Sequence, residues 1–186
     1  MFNNEGLVVL TGKEEFASTD NEILAIINEE GNGESFELNG LQCVIKRVHS
    51  GIWCGYVGVD RNHPWYGMNY QDVVTIKDLE SVMLSRNPSN VSILSLLIDM
   101  MDNNLENDQC SISTAIDVHG GITFSGKFDD DDLWYFGFDC GHCNDFVPAF
   151  SYMTEGAIYR DKEFVKNECH RLVDQLLTVP YDAGKS

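Results

Sequence analysis

Asp139, Cys140, His142, Cys143 and Asp145 put five groups able to bind a metal or move a proton within seven residues. They follow Trp134-Tyr135-Phe136-Gly137-Phe138, an aromatic run that reads as a strand, and they share a loop with Gly141 and Asn144. A strand that delivers such groups into a loop lets a rigid scaffold present chemistry. Several chemistries fit. Cys140 and Cys143 form a C-x-x-C pair, half of a structural zinc site, but no second pair exists, and Cys110 with His119 or His142 would have to complete it. A thioredoxin-like redox pair would want the motif to open a helix, and acidic neighbours disfavour a thiolate. Asp139, His142 and Asp145 give instead the mixed oxygen and nitrogen set of a hydrolytic metal site, with a divalent ion as cofactor. Without a metal, the histidine can act as a general base near neutral pH while an aspartate orients it.

Two further segments could serve the same site. In His119-Gly120-Gly121 the paired glycines let backbone N–H groups approach an anion, and the histidine could face the same ligand. Thr123 and Ser125 alternate with Ile122 and Phe124, so their hydroxyls share one face. The loop Asp60-Arg61-Asn62-His63-Pro64-Trp65-Tyr66-Gly67 offers Arg61 as a fork for phosphate or carboxylate and Trp65 and Tyr66 as stacking surfaces for a base. Its bland alternative is a surface loop whose aromatics plug the core. His49 and His170 read as structural, His170 at the edge of a buried helical stripe.

The elements that must position these groups can be read from periodicity. Leu41 to Val48 and Ile52 to Val59 are strands joined at Ser50-Gly51, and Asn39-Gly40 is a strong hairpin signal. Gly55 and Gly58 mark bulges or close approach of another backbone. A helix capped by Asp20 runs to Glu29, and Leu7 to Leu10 is a short strand. Helical spacing recurs over Ile76 to Met101, with Pro88 dividing two helices and Ser89 or Asn90 capping the second. Asp102 to Asp108 is an acidic loop. Cys110 to Val118, Ile122 to Ser125 and Leu133 to Phe138 read as strands, and Asp129 to Asp132 as a charged loop tip. A closing helix from about Asp161 to Leu177 buries Val165, Cys169, Leu172 and Leu176 and leaves Lys162, Lys166, Glu168 and Asp174 wet. The expected fold is α+β: an antiparallel sheet of about four to six strands with helices packed on one face. The expected organisation is an N-terminal extension over 1–40, one domain over 41–177 with a helical insertion at about 77–112, and a tail over 178–186.

A 43% hydrophobic composition is enough for a core. The 30 acidic against 12 basic residues, a formal charge of -18, disfavour nonspecific binding to nucleic acid or an anionic membrane. No apolar run is long enough to span a bilayer, and the N-terminus lacks the basic start of a signal peptide, so a cytoplasmic location is expected. Six scattered cysteines fit reduced thiols better than a disulfide framework.

Three motif groups also resemble a known family. They are Cys54-Gly55-Tyr56-Val57-Gly58-Val59 running into His63-Pro64, Val118-His119-Gly120-Gly121-Ile122-Thr123-Phe124-Ser125, and Trp134-Tyr135-Phe136-Gly137-Phe138-Asp139-Cys140-Gly141-His142 with Asp145. With Tyr159-Arg160-Asp161 and a helix carrying Glu168-Cys169, the chain resembles a family of small accessory proteins of tailed phages and prophages. The likeness covers about 41–75 and 115–177, and residues 1–40 and 77–112 look like additions. Cys143 departs from the family pattern, where a small residue is usual, which moves weight from the cysteine pair to Asp139, His142 and Asp145. The resemblance implies a counter-defence protein in the cytoplasm of an infected bacterium, acting on a small nucleotide-like signal.

Three functions follow as alternatives. As an enzyme, His119, His142, Asp139 and Asp145 would cleave a phosphodiester, with Arg61, His63, Trp65, Tyr66, Gly120, Gly121, Thr123 and Ser125 binding the ligand. As a sponge, the same groups would hold the nucleotide without turnover, and such proteins are often homo-oligomers. As an acidic mimic of DNA, the chain would inhibit a basic host defence protein.

Overall fold

A computed structural model describes residues 18–77, 93–101, 108–128, 131–153 and 156–179. The proposed strand at Leu7 to Leu10, the Pro88 break with its Ser89 or Asn90 cap, Asp129 and Asp130, and nearly all of the loop from Asp102 lie outside the described residues. The fold is α+β. A helix over Ser18–Glu30 leads into β1 (Gly33–Leu38), β2 (Leu41–Arg47) and β3 (Trp53–Val59). β4 (Val73–Thr75) and β5 (Gln109–Ser111) form a small second sheet, and a helix over Ile93–Met101 lies between them in sequence. β6 (Phe124–Gly126) and β7 (Trp134–Asp139) complete a five-stranded sheet in the order β1-β2-β3-β7-β6, antiparallel throughout. The closing helix spans Lys162–Thr178.

Local chemistry explains these boundaries. Asn39 and Gly40 both have positive φ, 50° and 84°, the pair a two-residue hairpin needs between Leu38 and its partner Leu41. β1 therefore belongs to the main sheet, so the sheet begins before residue 41. Asp161 caps the closing helix by accepting the Phe164 N–H at 2.8 Å. One segment departs from the expected strand at Cys110 to Val118. Only Gln109–Ser111 is extended, because the Ser111 hydroxyl caps a four-residue helix, Ile112–Ala115, and the buried Asp99 carboxylate accepts the Ser111 N–H and O–H. Capping by serine competes here with the β-branched propensity of the segment.

The closing helix packs on β2 and β3. Its Val165, Cys169, Leu172, Val173 and Leu176 meet Cys43, Ile45, Trp53, Val57, Phe136 and Phe138 of the sheet. Gly55 is where they come nearest: a β-carbon there would lie 2.9 Å from Cys169 Sγ and 2.5 Å from the Phe138 ring. The glycine marks close packing of side chains, and the register runs through it without a bulge. The opposite face carries a smaller aromatic cluster in which Tyr56 meets Phe124 and Phe128 edge-on and Phe128 stacks on Tyr135. Among the described residues no helix is long and apolar enough to cross a membrane.

The N-terminal helix is fastened by its last residue. Glu30 Oε2 accepts from Arg47 Nη2 (2.8 Å), Trp53 Nε1 (3.1 Å) and the Tyr159 hydroxyl (2.5 Å), and Oε1 accepts the Lys162 N–H (2.7 Å). Burial alone would raise the Glu30 pKa, but the four donors outweigh it and hold it below 4.5. Its contribution to stability is complete above that ordinary value and is lost as pH falls through the depressed one. Glu30→Ala leaves the buried Arg47 guanidinium without its carboxylate and is expected to cost about 3 kcal/mol, measured by urea unfolding.

Candidate functional site

The short helix Ile112–Ala115 ends before a turn that Gly121 N–H closes onto the Val118 carbonyl at 2.9 Å. His119 and Gly120 are its corner residues, and Gly120 takes φ +68°. Gly120 is required for space as well as for torsion, since a β-carbon there would fall inside the His142 ring. His142 itself begins a second turn, in which Asp145 N–H bonds the His142 carbonyl at 3.0 Å and Asn144 adopts φ 71°. Two glycine- or asparagine-dependent turns thus bring His119 and His142 together, with ring centroids 5.3 Å apart.

Asp145 ties the turns to a third segment. It is 1% exposed and accepts from His119 Nε2 (2.6 Å) and the His142 N–H (3.0 Å) at Oδ2, and from Arg160 Nε (2.8 Å) at Oδ1. Its backbone bridges to Ile158, which fixes the approach of Arg160 two residues on. Burial works to raise the Asp145 pKa, yet the His119 and Arg160 bonds overcome it and keep the carboxylate below the usual range. An ionised carboxylate can only accept, so His119 Nε2 carries a proton. Its Nδ1 makes no hydrogen bond among the described residues and is the ring's free acceptor. The His119 backbone is held too: its N–H donates to Glu168 Oε2 at 2.7 Å, and Glu168 Oε1 accepts from Arg171.

His142 stands differently. Its Nε2 is buried and makes no hydrogen bond, and the nearest carboxylate oxygen, Asp139 Oδ1, is 3.9 Å away. Asp139 is engaged elsewhere, accepting from the Thr123 hydroxyl at 2.8 Å and the Gly141 N–H at 3.0 Å. Leaving a buried polar nitrogen unpaired costs about 1–3 kcal/mol, which singles out His142 Nε2 among the polar atoms of this cluster.

The structure therefore gathers His119, Gly120, Gly121, His142, Asp145, Asp139 and Thr123 at one place. Ser125 lies further along β6, where its Oγ accepts the Tyr70 N–H at 2.9 Å. The loop from Asp60 is elsewhere. His63 Nε2 donates to the Leu176 carbonyl at 3.0 Å, and its Nδ1 accepts the Trp65 N–H. Leu176 is eight residues from Glu168 on the closing helix, about 12 Å along the axis. Trp65 is buried against Phe136, Tyr66 donates to the Asp132 carbonyl, and Arg61 pairs with Asp132 at the surface. These four side chains fasten the loop onto the core and to residue 132, and they do not face the histidine pair. His49 and His170 are exposed.

The Asp139, His142 and Asp145 set does not suit a metal. Both Asp145 oxygens are committed, one of them to a guanidinium, and among the described residues no group of three His, Cys, Asp or Glu could hold an ion. Cys140 is buried, and burial first, then the Asp145, Cys54 and Asp139 charges, pushes its thiol far above the ordinary value, while Cys143 is exposed. A thiol so disfavoured as thiolate does not suit redox exchange, and among the described residues no third ligand joins the cysteine pair to hold a zinc ion. Arg160 and Glu168 are the participants sequence reading did not assign. Glu168 was expected on the wet face and is buried at 6% exposure. Its position three residues after Val165 and one before Cys169, on the apolar stripe, was the available signal.

Gly120→Ala is expected to cost about 2 kcal/mol for the positive φ and to turn His142 out of place, seen as amide shifts at Gly121, His142 and Asp145 with β1 unchanged. Burial lowers the His63 pKa below 6.5, opposed more weakly by the Leu176 carbonyl and Asp60. The unfolded chain then binds more protons than the folded one, so stability falls as pH drops below the unfolded value. Melting temperature should decline between neutral and mildly acid pH, and His63→Gln should flatten that slope.

Comparison with protein-family models, curated proteins and solved structures finds no match to this chain.

Proposed function

We propose that the protein is a metal-independent hydrolase that uses His119 and His142 as an acid–base pair on a phosphodiester of a small nucleotide-like ligand. The observation that carries this reading is the pairing of an Asp-oriented imidazole, His119, with a second imidazole whose buried Nε2 has no partner. Hydrolysis needs one proton removed and one supplied. Neutral His119, holding its Nε2 proton toward Asp145, takes a proton from water at Nδ1 as the water oxygen bonds to phosphorus. Protonated His142 gives its proton to the departing ester oxygen as that P–O bond breaks. Water is consumed, and the two rings exchange protonation states, which solvent restores. Two imidazoles suit this work because one can accept while the other donates near neutral pH. The nucleotide character of the ligand and the counter-defence setting in an infected bacterial cytoplasm are supported by the motif resemblance of the His119 and Asp139 segments.

The test incubates the purified chain with a panel of cyclic di- and trinucleotides and ADP-ribose derivatives, with and without EDTA, and resolves products by chromatography before and after denaturation. Turnover should persist in EDTA. His119→Ala and His142→Ala should each lower it by about 10²–10⁴, and turnover unchanged in both variants would refute the assignment. Ligand depleted from solution but recovered intact after denaturation would make the protein a sponge.

A further inference from the structure

Resting on that reading, we infer that Arg160 is the substrate-anchoring residue of the site and that it grips two non-bridging oxygens of a phosphoryl group. Two contacts and a backbone bridge place the guanidinium. Nε bonds Asp145 Oδ1 at 2.8 Å, the group lies over the Phe164 ring with its carbon 4.7 Å from the centroid, and the backbone two residues earlier is bridged to Asp145. Phe164 in turn meets His119 edge-on, with centroids 5.3 Å apart. The anchor, its aromatic floor and the base therefore form one packed unit around one carboxylate.

The guanidinium has capacity to spare. Only Nε is used; the two terminal nitrogens make no hydrogen bond among the described residues, and the side chain is 22% exposed. The other arginines in the core framework are spent. Arg47 bonds Gly31, Gly51, Tyr159 and Glu30, and both terminal nitrogens of Arg171 bind carboxylates. A guanidinium held by Nε and stacked on a ring keeps its two terminal nitrogens oriented as a fork, the geometry that matches two oxygens of one oxyanion.

The adjoining chemistry chooses the oxyanion. A phosphodiester held by its two non-bridging oxygens keeps both ester bonds free for the imidazoles to act on. A carboxylate held by both oxygens presents no bond for them to act on. The unpartnered His142 Nε2 belongs to the same cluster, because the His142 N–H shares Asp145 Oδ2 with His119.

The probe is inorganic phosphate titrated into the full ¹⁵N-labelled chain, read at the Arg160 side-chain N–H and the Gly120 and Gly121 amides. A saturable shift with a dissociation constant of millimolar order is expected. Arg160→Lys, which keeps the charge beside Asp145 and loses the fork, should weaken binding about tenfold, and Arg160→Gln should remove it. Phe164→Leu leaves the Asp145 contact in place and should weaken binding severalfold. Should Arg160→Gln fail to fold, the Lys and Leu variants carry the comparison. No saturable shift in the parent chain, or equal affinity in Arg160→Lys, would overturn the proposal, and acetate shifting the same signals as strongly would make this a carboxylate site instead. Phosphate binding without turnover of any nucleotide leaves the anchor standing and removes the hydrolase. Turnover with no Arg160-dependent phosphate binding does the reverse.

Discussion

One buried carboxylate organises this molecule's chemistry. Asp145 is charged, sealed from water and ties its own turn to two segments distant in sequence. Taking a carboxylate out of water costs several kcal/mol, and the cost is met only when its oxygens are well paired. Here the pairing is His119 from the first turn, the His142 N–H from its own turn, and Arg160 from the strand-like approach to the closing helix. Because each donor is needed to stabilise the charge, none of the segments can drift without exposing it. The burial of one charge thus sets the spacing of the two imidazoles.

The stretch 158–162 transmits this constraint to the rest of the fold. Its residues are gripped alternately by two carboxylates. Tyr159 and the Lys162 N–H bind Glu30, while Arg160 binds Asp145, and Ile158 exchanges backbone bonds with Asn144 and Phe146. The helix that begins there carries Glu168 onward to hold the His119 backbone from the other side. The closing helix therefore does two jobs with two faces of one stripe. Its apolar residues seat it on β3, and its one buried acid, Glu168, steadies the His119 turn.

Much of the frame was legible because its signals are local. Asn39-Gly40 dictates its hairpin by torsion, β2, β3 and β7 declare themselves by β-branched and aromatic runs, and Asp161 caps a helix with a clear stripe. His119, His142, Asp139 and Asp145 were also visible as a cluster of types, though which atoms would meet was not. What stayed hidden depends on long-range pairing. Glu168 looks like an ordinary surface acid until His119, 49 residues away, supplies the N–H that justifies burying it. Arg160 and Asp145 are 15 residues apart and meet through a bridge that no propensity announces. The loop from Asp60 misled for a related reason. Arg61, His63, Trp65 and Tyr66 have the types of a nucleotide clasp, but two imidazole bonds and a core-filling indole use them to anchor the loop.

The acidity of the chain and an anionic ligand are compatible because the two act at different ranges. The formal charge of -18 belongs to the whole chain, and at physiological salt the field of exposed charges decays over about 8 Å. Inside the site each carboxylate is held by nearby donors. Asp145 faces Arg160 and His119, Glu168 faces Arg171, and Asp139 is hydrogen-bonded by Thr123 and Gly141. A small ligand with one or two phosphates, bound at Arg160 as proposed, would set little further charge against that net charge. A long polyanion would set every additional phosphate against that charge with no released counterions to compensate it. A small phosphoryl ligand, as proposed for this site, is thus compatible with a net charge that disfavours a nucleic-acid strand.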